Sequence, residues 1–113
     1  LTGDSSITQS GISTLGYISI NLQYSVTPYQ LAVNDKCRVS YSIDNGLNYE
    51  TLQEYDQTSA QMIHLKPLKK DADNLATGVS IRFEAISGGT TDQFRCYFDE
   101  IYVFGIHGTR NST

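Results

Sequence analysis

The sequence predicts an all-β domain in which two antiparallel sheets pack into a sandwich. Apolar and polar residues alternate with period two in several short segments, which is typical of strands with one buried face. Turn-forming residues separate about seven such segments, and only residues 66–78 have any helical potential. A chain of 113 residues has the length of one domain with a single core, so we expect both sheets to share it.

Four segments show the clearest alternation and define the predicted inward faces. These faces are Ile18, Ile20, Leu22 and Tyr24; Cys37, Val39, Tyr41 and Ile43; Val79, Ile81, Phe83 and Ala85; and Phe94, Cys96 and Phe98. After Phe98 the apolar positions resume at Ile101 and Val103, an odd step that requires one extra residue. We therefore predict a β-bulge at Asp99–Glu100.

Weaker strands are predicted over 6–12, 49–55 and 60–65, with turns between them. Asp44-Asn45-Gly46 is a strong hairpin turn because asparagine and glycine tolerate positive φ. Residues 66–78 carry Pro67 early and Gly78 at the end, which predicts a loop with at most one helical turn. The sandwich is expected to span 1–105, followed by a polar tail or linker at 106–113.

Alternating strand directions place the connections at two ends of the sandwich. We expect the connections 25–35, 56–59 and 87–92 to share one end, called here the three-loop end. The Asp44 turn, the loop 66–78 and both chain termini are expected at the other end.

Composition narrows the classes of function. The net charge of −4 and the pI near 4.9 argue against nucleic-acid binding, which needs a basic patch. Apolar runs stay far below the roughly 20 residues that cross a bilayer. The first residues lack the basic start and apolar core of a signal peptide, so we expect a processed or excised piece of a larger protein.

Cys37 and Cys96 both fall on predicted inward faces. In a secreted domain, two such cysteines favour a disulfide, which would close a long loop and contribute about 4–5 kcal/mol in the chain-entropy model. Two buried free thiols are the alternative. Two cysteines with His64 and His107 lack the spacing of a zinc site.

Residues 42–49 match the Asp-box pattern Ser-x-Asp-x-Gly-x-x-aromatic. In this device Asp44 is expected to cap backbone amides, Gly46 to take positive φ, and Tyr49 to fold over the hairpin. Asp-boxes occur in sialidases and in many non-catalytic β-domains, and we expect a structural role and no enzymatic activity. A paired-carboxylate hydrolase is the catalytic alternative, with Glu50, Glu54, Asp99 and Glu100 as its candidate carboxylates.

Calcium is the cofactor that the acidic loops favour. Ca²⁺ takes six to eight oxygen ligands from carboxylates and backbone carbonyls, and a bulge at Asp99 would turn carbonyls outward. Asp99 and Asp4 are the expected metal ligands, and solvated carboxylates are the alternative.

Tyrosines and loop carboxylates suggest a contact surface at the three-loop end. Tyr29, Asp35, Asp56 and Asp92 are its predicted ligand-binding residues, because sites concentrate in loops and tyrosine is frequent at interfaces. Tyr24 and Tyr41 are expected in the core, whereas Tyr17, Tyr49 and Tyr55 are expected to be exposed. Asn111-Ser112-Thr113 is a candidate N-glycosylation site in the polar tail.

Several of these stretches together resemble a known extracellular pattern. They are Ser5-Ser6-Ile7-Thr8, then 39–46 with Tyr49, then Ile81-Arg82-Phe83-Glu84-Ala85, and Phe98-Asp99-Glu100-Ile101 after a glycine-rich loop. The order and spacing are similar to the jelly-roll modules of secreted hydrolases and adhesins, to MAM domains and to reelin subrepeats. Tyr49 replaces the usual tryptophan, and the acidic strands that usually precede the first stretch are not in this sequence.

The resemblance implies a jelly-roll sandwich with a non-catalytic role outside the cytosol. We expect a secreted or cell-surface recognition or adhesion module that binds protein or glycan without inserting into a membrane. The alternatives are a structural spacer or assembly unit that associates through its edge strands, and a carbohydrate-binding module on a secreted hydrolase. Fold-level analogy does not choose among these ligands.

Overall fold

The computed structural model describes residues 1, 4–59, 62–89 and 94–108. The described chain forms seven strands and one short 3₁₀ helix. They are β1 (Ser5–Ile12), β2 (Tyr17–Tyr29), β3 (Lys36–Ser42), β4 (Glu50–Tyr55), β5 (Met62–Pro67), the 3₁₀ helix (Lys70–Ala72), β6 (Val79–Ile86) and β7 (Arg95–His107). The 3₁₀ helix confirms the prediction of at most one helical turn within 66–78.

Two antiparallel sheets pack together, as the alternation predicted. One sheet has four strands in the order β1-β6-β3-β4, and the other has three in the order β5-β2-β7. Every described strand pair is antiparallel. The fold is therefore an all-β sandwich, with β2 and β7 as its two longest strands.

Two irregularities shape the pairing of β2 with β7. Ser25 pairs with Asp99 and Gln23 pairs with Tyr102, so β7 contains one extra residue, which confirms the predicted bulge. Glu100 has a positive φ of 52° within it. A second bulge on β2, where Ser19 has φ 54°, moves Ile18 to the outer face opposite Ile106. The prediction that Ile18 shares the inward face of Ile20 was therefore wrong.

The core lies between the sheets and is centred on β2. Leu22, Tyr24 and Val26 are fully buried there, and they face apolar residues of β3 and β6. The Cys37–Cys96 disulfide joins β3 of one sheet to β7 of the other across this core. The predicted bridge is thus confirmed, and both cysteines are completely buried.

A polar cluster of rings lies at the β4 and β5 side of the core. The Tyr24 and Tyr55 hydroxyls share a hydrogen bond of 2.6 Å, and the His64 ring lies 4.6 Å from the Tyr55 ring. Burial lowers the pKa of His64 and raises that of Tyr55. Tyr55 pairs with the inward-facing Cys37 and is 5% exposed, so the prediction of an exposed Tyr55 was wrong.

The three-loop end forms with two corrections. The predicted connection 25–35 is shorter, because β2 continues through Tyr29, so residues 25–29 are strand and not loop. The position of the first residue also differs. Leu1 lies at this end and exchanges two backbone hydrogen bonds with Cys96, of 2.7 and 2.8 Å. The prediction that both termini share the opposite end was wrong for the first residue, because β1 runs antiparallel to β6 and starts opposite Ala85. At the other terminus, β7 continues to His107, two residues beyond the predicted tail boundary.

Candidate functional site

The outward-facing side of the three-stranded sheet is the most apolar surface among the described residues. The side chains that β7 and β5 contribute to it are mostly aromatic and aliphatic. The central strand β2 contributes mostly polar side chains. We call this surface the β5–β2–β7 outer face. Its residues are Ile63 and Leu65 on β5, Gln23, Ser25, Thr27 and Tyr29 on β2, and Tyr97, Asp99, Tyr102, Phe104 and Ile106 on β7.

The apolar side chains of this face are well exposed. Tyr102 is 58% exposed, and Leu65, on the other side of Gln23, is 57% exposed. Phe104 and Ile106 continue the β7 row at 46% and 62%. Contiguous exposed apolar surface of this kind marks contact sites more often than isolated exposed residues do.

A groove crosses the face near the β7 bulge. Its volume is about 380 Å³, and its floor is formed by Ser25 and Thr27. Ile63 and Met62 lie on one side, with the Tyr97 ring and the carboxylates of Asp99 and Glu100 on the other. The bulge places these two consecutive acidic residues at the groove because its extra residue interrupts the alternation of β7.

Two aromatic rings extend the groove toward the three-loop end. Tyr29 and Tyr97 form an edge-to-face pair with ring centroids 6.2 Å apart, and each is nearly half exposed. The pair combines flat apolar faces with hydroxyl groups beside the polar floor of the groove. The arrangement suits a ligand with both apolar surface and hydrogen-bonding groups.

The opposite outer face, on the four-stranded sheet, is covered by paired charges. Arg38 lies 2.8 Å from Glu54 and 3.8 Å from Glu84, which are its neighbours on β4 and β6. Arg82 forms an ion pair of 3.2 Å with Glu84, and its guanidinium carbon lies 3.8 Å from the centre of the Tyr49 ring. These opposite charges lie close together, so this face exposes less apolar surface to a ligand than the other face does.

The predicted ligand-binding residues of the three-loop end have different environments. Tyr29 is exposed on the β5–β2–β7 outer face. Asp35 is fully buried, and its carboxylate accepts hydrogen bonds of 2.8 Å from the Ala32 and Gly88 amides. It therefore ties the β2–β3 loop to the loop after β6, which leaves it no surface for a ligand.

Asp56 also stabilises its own turn. Its carboxylate accepts hydrogen bonds from the Thr58 amide and hydroxyl, which hold the Asp56 pKa below its usual range. Lys36 lies 3.9 Å away. The predicted ligand-binding residue Asp92 and the predicted glycosylation site Asn111 lie outside the described residues.

The two predicted calcium ligands lie on different elements. Asp4 precedes β1 and accepts a hydrogen bond from the Ser87 amide, whereas Asp99 accepts one from the Glu100 amide within the bulge. In the part of the chain that the structure describes, no group of three or more metal-ligating side chains comes together. Calcium binding at Asp4 and Asp99 stays a prediction.

The Asp-box forms the hairpin turn that its pattern predicted. Asp44 accepts hydrogen bonds from the Ser42 hydroxyl and from the Asn48 amide, and these contacts lower its pKa to about 2. Gly46 has φ 84°, and a Cβ there would lie 3.3 Å from the Tyr49 hydroxyl. Tyr49 therefore covers the turn on one side and contacts Arg82 on the other.

Most of the β5–β2–β7 outer face was not predicted from the sequence. Ile101 and Val103 were predicted to form one apolar face, but Tyr102 and Phe104 make the other face of the strand apolar as well. The signal was in the run Ile101-Tyr102-Val103-Phe104, where the alternation with polar residues disappears. A strand that is apolar on both faces at the edge of a sheet predicts a contact on its outer side.

Comparison of the chain with protein-family models, curated proteins and solved structures found no match. Within the described ranges, the fold contains no helix with the length and hydropathy needed to cross a bilayer.

Proposed function

We propose that this domain is a non-catalytic recognition module that acts outside the reducing cytosol and binds a protein partner through the β5–β2–β7 outer face. The observation that carries the proposal is the row of exposed aromatic and aliphatic side chains on β7, from Tyr97 to Ile106. Tyrosines and large apolar residues with few charges are the composition of the central part of protein interfaces.

The disulfide supports the proposed compartment. Cys37 and Cys96 are paired in the core, and disulfides persist in secreted and cell-surface proteins but are rare where thiols are kept reduced. The bridge also fixes β7 to β3, so the strand with most of the exposed apolar side chains is held rigidly against the core.

The groove supplies specificity to the proposed contact. A basic side chain of the partner would meet the carboxylates of Asp99 and Glu100 there, and its stem would lie along Tyr97. The acidic net charge of −4 would assist the approach of a basic partner surface.

The test is binding of a fluorescent, tetrameric form of the domain to cultured cells, with variants matched between the two outer faces. The double variant Tyr97→Ser/Tyr102→Ser is expected to lose at least about tenfold in apparent affinity, equivalent to about 1.4 kcal/mol. The control Arg38→Ser/Glu54→Ser carries the same number of changes on the opposite face and should bind like the wild type. Equal binding by both variants would reject the proposal.

A glycan is the second candidate ligand, because the Tyr29–Tyr97 pair stands beside hydroxyl and carboxylate groups. Aromatic faces stack on sugar rings, and such polar groups bond sugar hydroxyls. The same cells treated with protease or with glycosidases separate the candidates. Loss of binding after protease alone supports a protein partner, and loss after glycosidases alone supports a glycan.

A further inference from the structure

We propose that two copies of this chain pair through the outward edge of β7, antiparallel and centred on Val103, to form a two-fold symmetric dimer. The proposal goes beyond the proposed function and does not rest on it, because the pairing uses the edge of β7 and leaves both β5–β2–β7 outer faces open. It rests on the direction of the β7 backbone groups, on a cavity beside the edge and on the exposed side chain of Ile101.

The backbone of β7 directs hydrogen-bonding groups away from the sheet at Val103. On β2, the Ile20 carbonyl accepts a hydrogen bond from the Leu68 amide on the β5 side. Backbone direction alternates along a strand, so Leu22 also faces β5, and its neighbour Val103 on β7 directs its amide and carbonyl to the outward edge, as does Gly105. Among the described residues, no strand pairs with this edge.

This direction sets the register of the dimer. In an antiparallel pair centred on Val103, the two copies of this residue exchange both backbone hydrogen bonds across the symmetry axis. Ile101 of one copy then lies opposite Gly105 of the other, and Tyr102 lies opposite Phe104. The Tyr102–Phe104 pairs are of the closer, non-hydrogen-bonded type, in which aromatic side chains on one side of a sheet stabilise each other.

A cavity beside the edge accepts the side chain that this register brings to it. The cavity has a volume of about 380 Å³, and its lining includes Ile12, Ile20, Val103 and Gly105. Gly105 has no side chain to cover the cavity, and a Cβ there would lie 2.8 Å from Ile20 Cδ1. Ile101 is 44% exposed and shares the inward direction of Val103. Pairing places Ile101 over Gly105 of the second copy, where the cavity removes it from water.

Charge favours the same alignment. β7 carries Asp99 and Glu100 at its bulge, before the symmetry axis, and Ile106 and His107 after it. Antiparallel pairing about Val103 places the carboxylates of each copy beside the Ile106–His107 end of the other, so like charges stay apart. A parallel alignment in register would bring the carboxylates of both copies together, which is destabilising.

The other sheet edges are poorer sites for self-pairing. β4 and β5 have six residues each; β4 carries Glu50 and Glu54, and β5 ends at Pro67. The register of β1 shifts between Gln9 and Ile12. Short length, charge, proline and irregular register protect sheet edges from pairing. The part of β7 that follows its bulge is aromatic and aliphatic and carries no charged side chain up to residue 106.

The size of the contact predicts a weak dimer. Residues 100–106 of each copy would pair, whereas a standard interface involves about 20–30 residues a side and roughly 1,600 Å². We therefore expect monomers at low protein concentration and dimers at high concentration.

Sedimentation equilibrium between about 10 and 500 µM protein tests the dimer. The variant Ile101→Lys puts a charge on the side chain that enters the cavity, and it should weaken dimerisation by at least about tenfold. The matched control Ile7→Lys makes the same change at a 59% exposed isoleucine of β1, and it should dimerise like the wild type. A wild type that stays monomeric at about 500 µM, or equal dimerisation of the Ile101→Lys variant, would overturn the proposal.

Hydrogen exchange of the wild type at the same two concentrations tests the register. The amides of Val103 and Gly105 should exchange more slowly at high concentration. The amides of Tyr102 and Phe104, which face β2, should exchange at the same rate at both concentrations. Slower exchange along β1 or β4 with no change at Val103 would overturn the proposed pairing even where a dimer forms.

Discussion

The two outer faces of the sandwich differ in how their side chains are satisfied. On the four-stranded sheet, Arg38 and Arg82 pair with Glu54 and Glu84, and Tyr49 contacts one of the guanidinium groups. On the three-stranded sheet, exposed tyrosine, phenylalanine and isoleucine side chains line β7 instead. Paired charges at a surface stay well solvated in water, whereas exposed apolar rows gain free energy when a partner covers them.

The difference also separates buried tyrosines from exposed ones. Tyr24, Tyr41 and Tyr55 are buried, and Tyr49 is part of a turn, whereas Tyr29, Tyr97 and Tyr102 are exposed together on one face. The tyrosine count of the sequence therefore indicates a contact surface only after the strand register has sorted core residues from surface residues.

The largest expected effect comes from removing the covalent link between the two sheets. The double variant Cys37→Ala/Cys96→Ala should lose about 4 kcal/mol of unfolding free energy, because the bridge closes a loop with a sequence separation of 59. Urea unfolding followed by fluorescence measures the loss. The wild type after reduction is the control, and a variant as stable as the oxidised wild type would contradict the structural role of the bridge.

Two leucines near each other on the three-stranded sheet test which side of it is the core. Leu22→Ala should cost about 3 kcal/mol because Leu22 is fully buried between the sheets. Leu65→Ala on the outer face should change stability by less than about 0.5 kcal/mol. Similar losses for both variants, measured by chemical denaturation, would show that the outer face is covered within the domain itself.

As the pH falls, the cluster of the Tyr24, Tyr55 and His64 rings should lose stability before the Asp-box does. Burial lowers the pKa of His64, so the unfolded chain takes up a proton below about pH 6.5 more readily than the folded chain does. The contribution of neutral His64 to the free energy of unfolding is fully present above that pH, and it is lost as the pH falls. For Asp44, whose pKa is lowered to about 2, the loss begins only as the pH falls to the usual pKa of aspartate and is complete below the lowered value.

Urea midpoints at pH 7.5, 6 and 5 test this order. The wild type should lose stability over this range, and His64→Phe should lose less. His107→Gln is the matched control and should keep the wild-type dependence. A His64→Phe variant with the full pH dependence would exclude His64 as its source.

The smallest expected effect concerns the paired charges of the four-stranded sheet. A double-mutant cycle on Arg38 and Glu54 should give a coupling of less than about 1 kcal/mol, because both side chains are partly exposed. The coupling should decline further in 1 M NaCl. A coupling well above this value would mean that the charged face contributes more to folding than its exposure indicates.

Local patterning predicted much of the fold. The alternation of residues 79–85 and of 37–43 placed β6 and β3, and the odd step after Phe98 located the bulge. Both cysteines lay on predicted inward faces, and the bridge followed from that position and the expected compartment. These features depend on neighbours along a strand, which a sequence displays directly.

The rest required the register between strands. The bulge at Ser19 turned Ile18 outward, and pairing with β3 turned Tyr55 inward. Asp35 looked like a loop carboxylate, but its buried contacts with Ala32 and Gly88 depend on how two distant loops meet. The outer face was missed because its rows lie on β5 and β7, which are far apart in sequence and become neighbours only through β2.

Hydroxyl-radical footprinting of the domain, free and bound to cells, tests the proposed recognition surface most directly. If the β5–β2–β7 outer face is the recognition surface, oxidation of Tyr97, Tyr102 and Phe104 should fall strongly on binding. Leu47, which is 82% exposed on the Asp-box turn, and Ile7, which is 59% exposed on β1, should keep their reactivity. Protection of Leu47 or Ile7 with unchanged oxidation of the three β7 residues would show that the partner binds another surface.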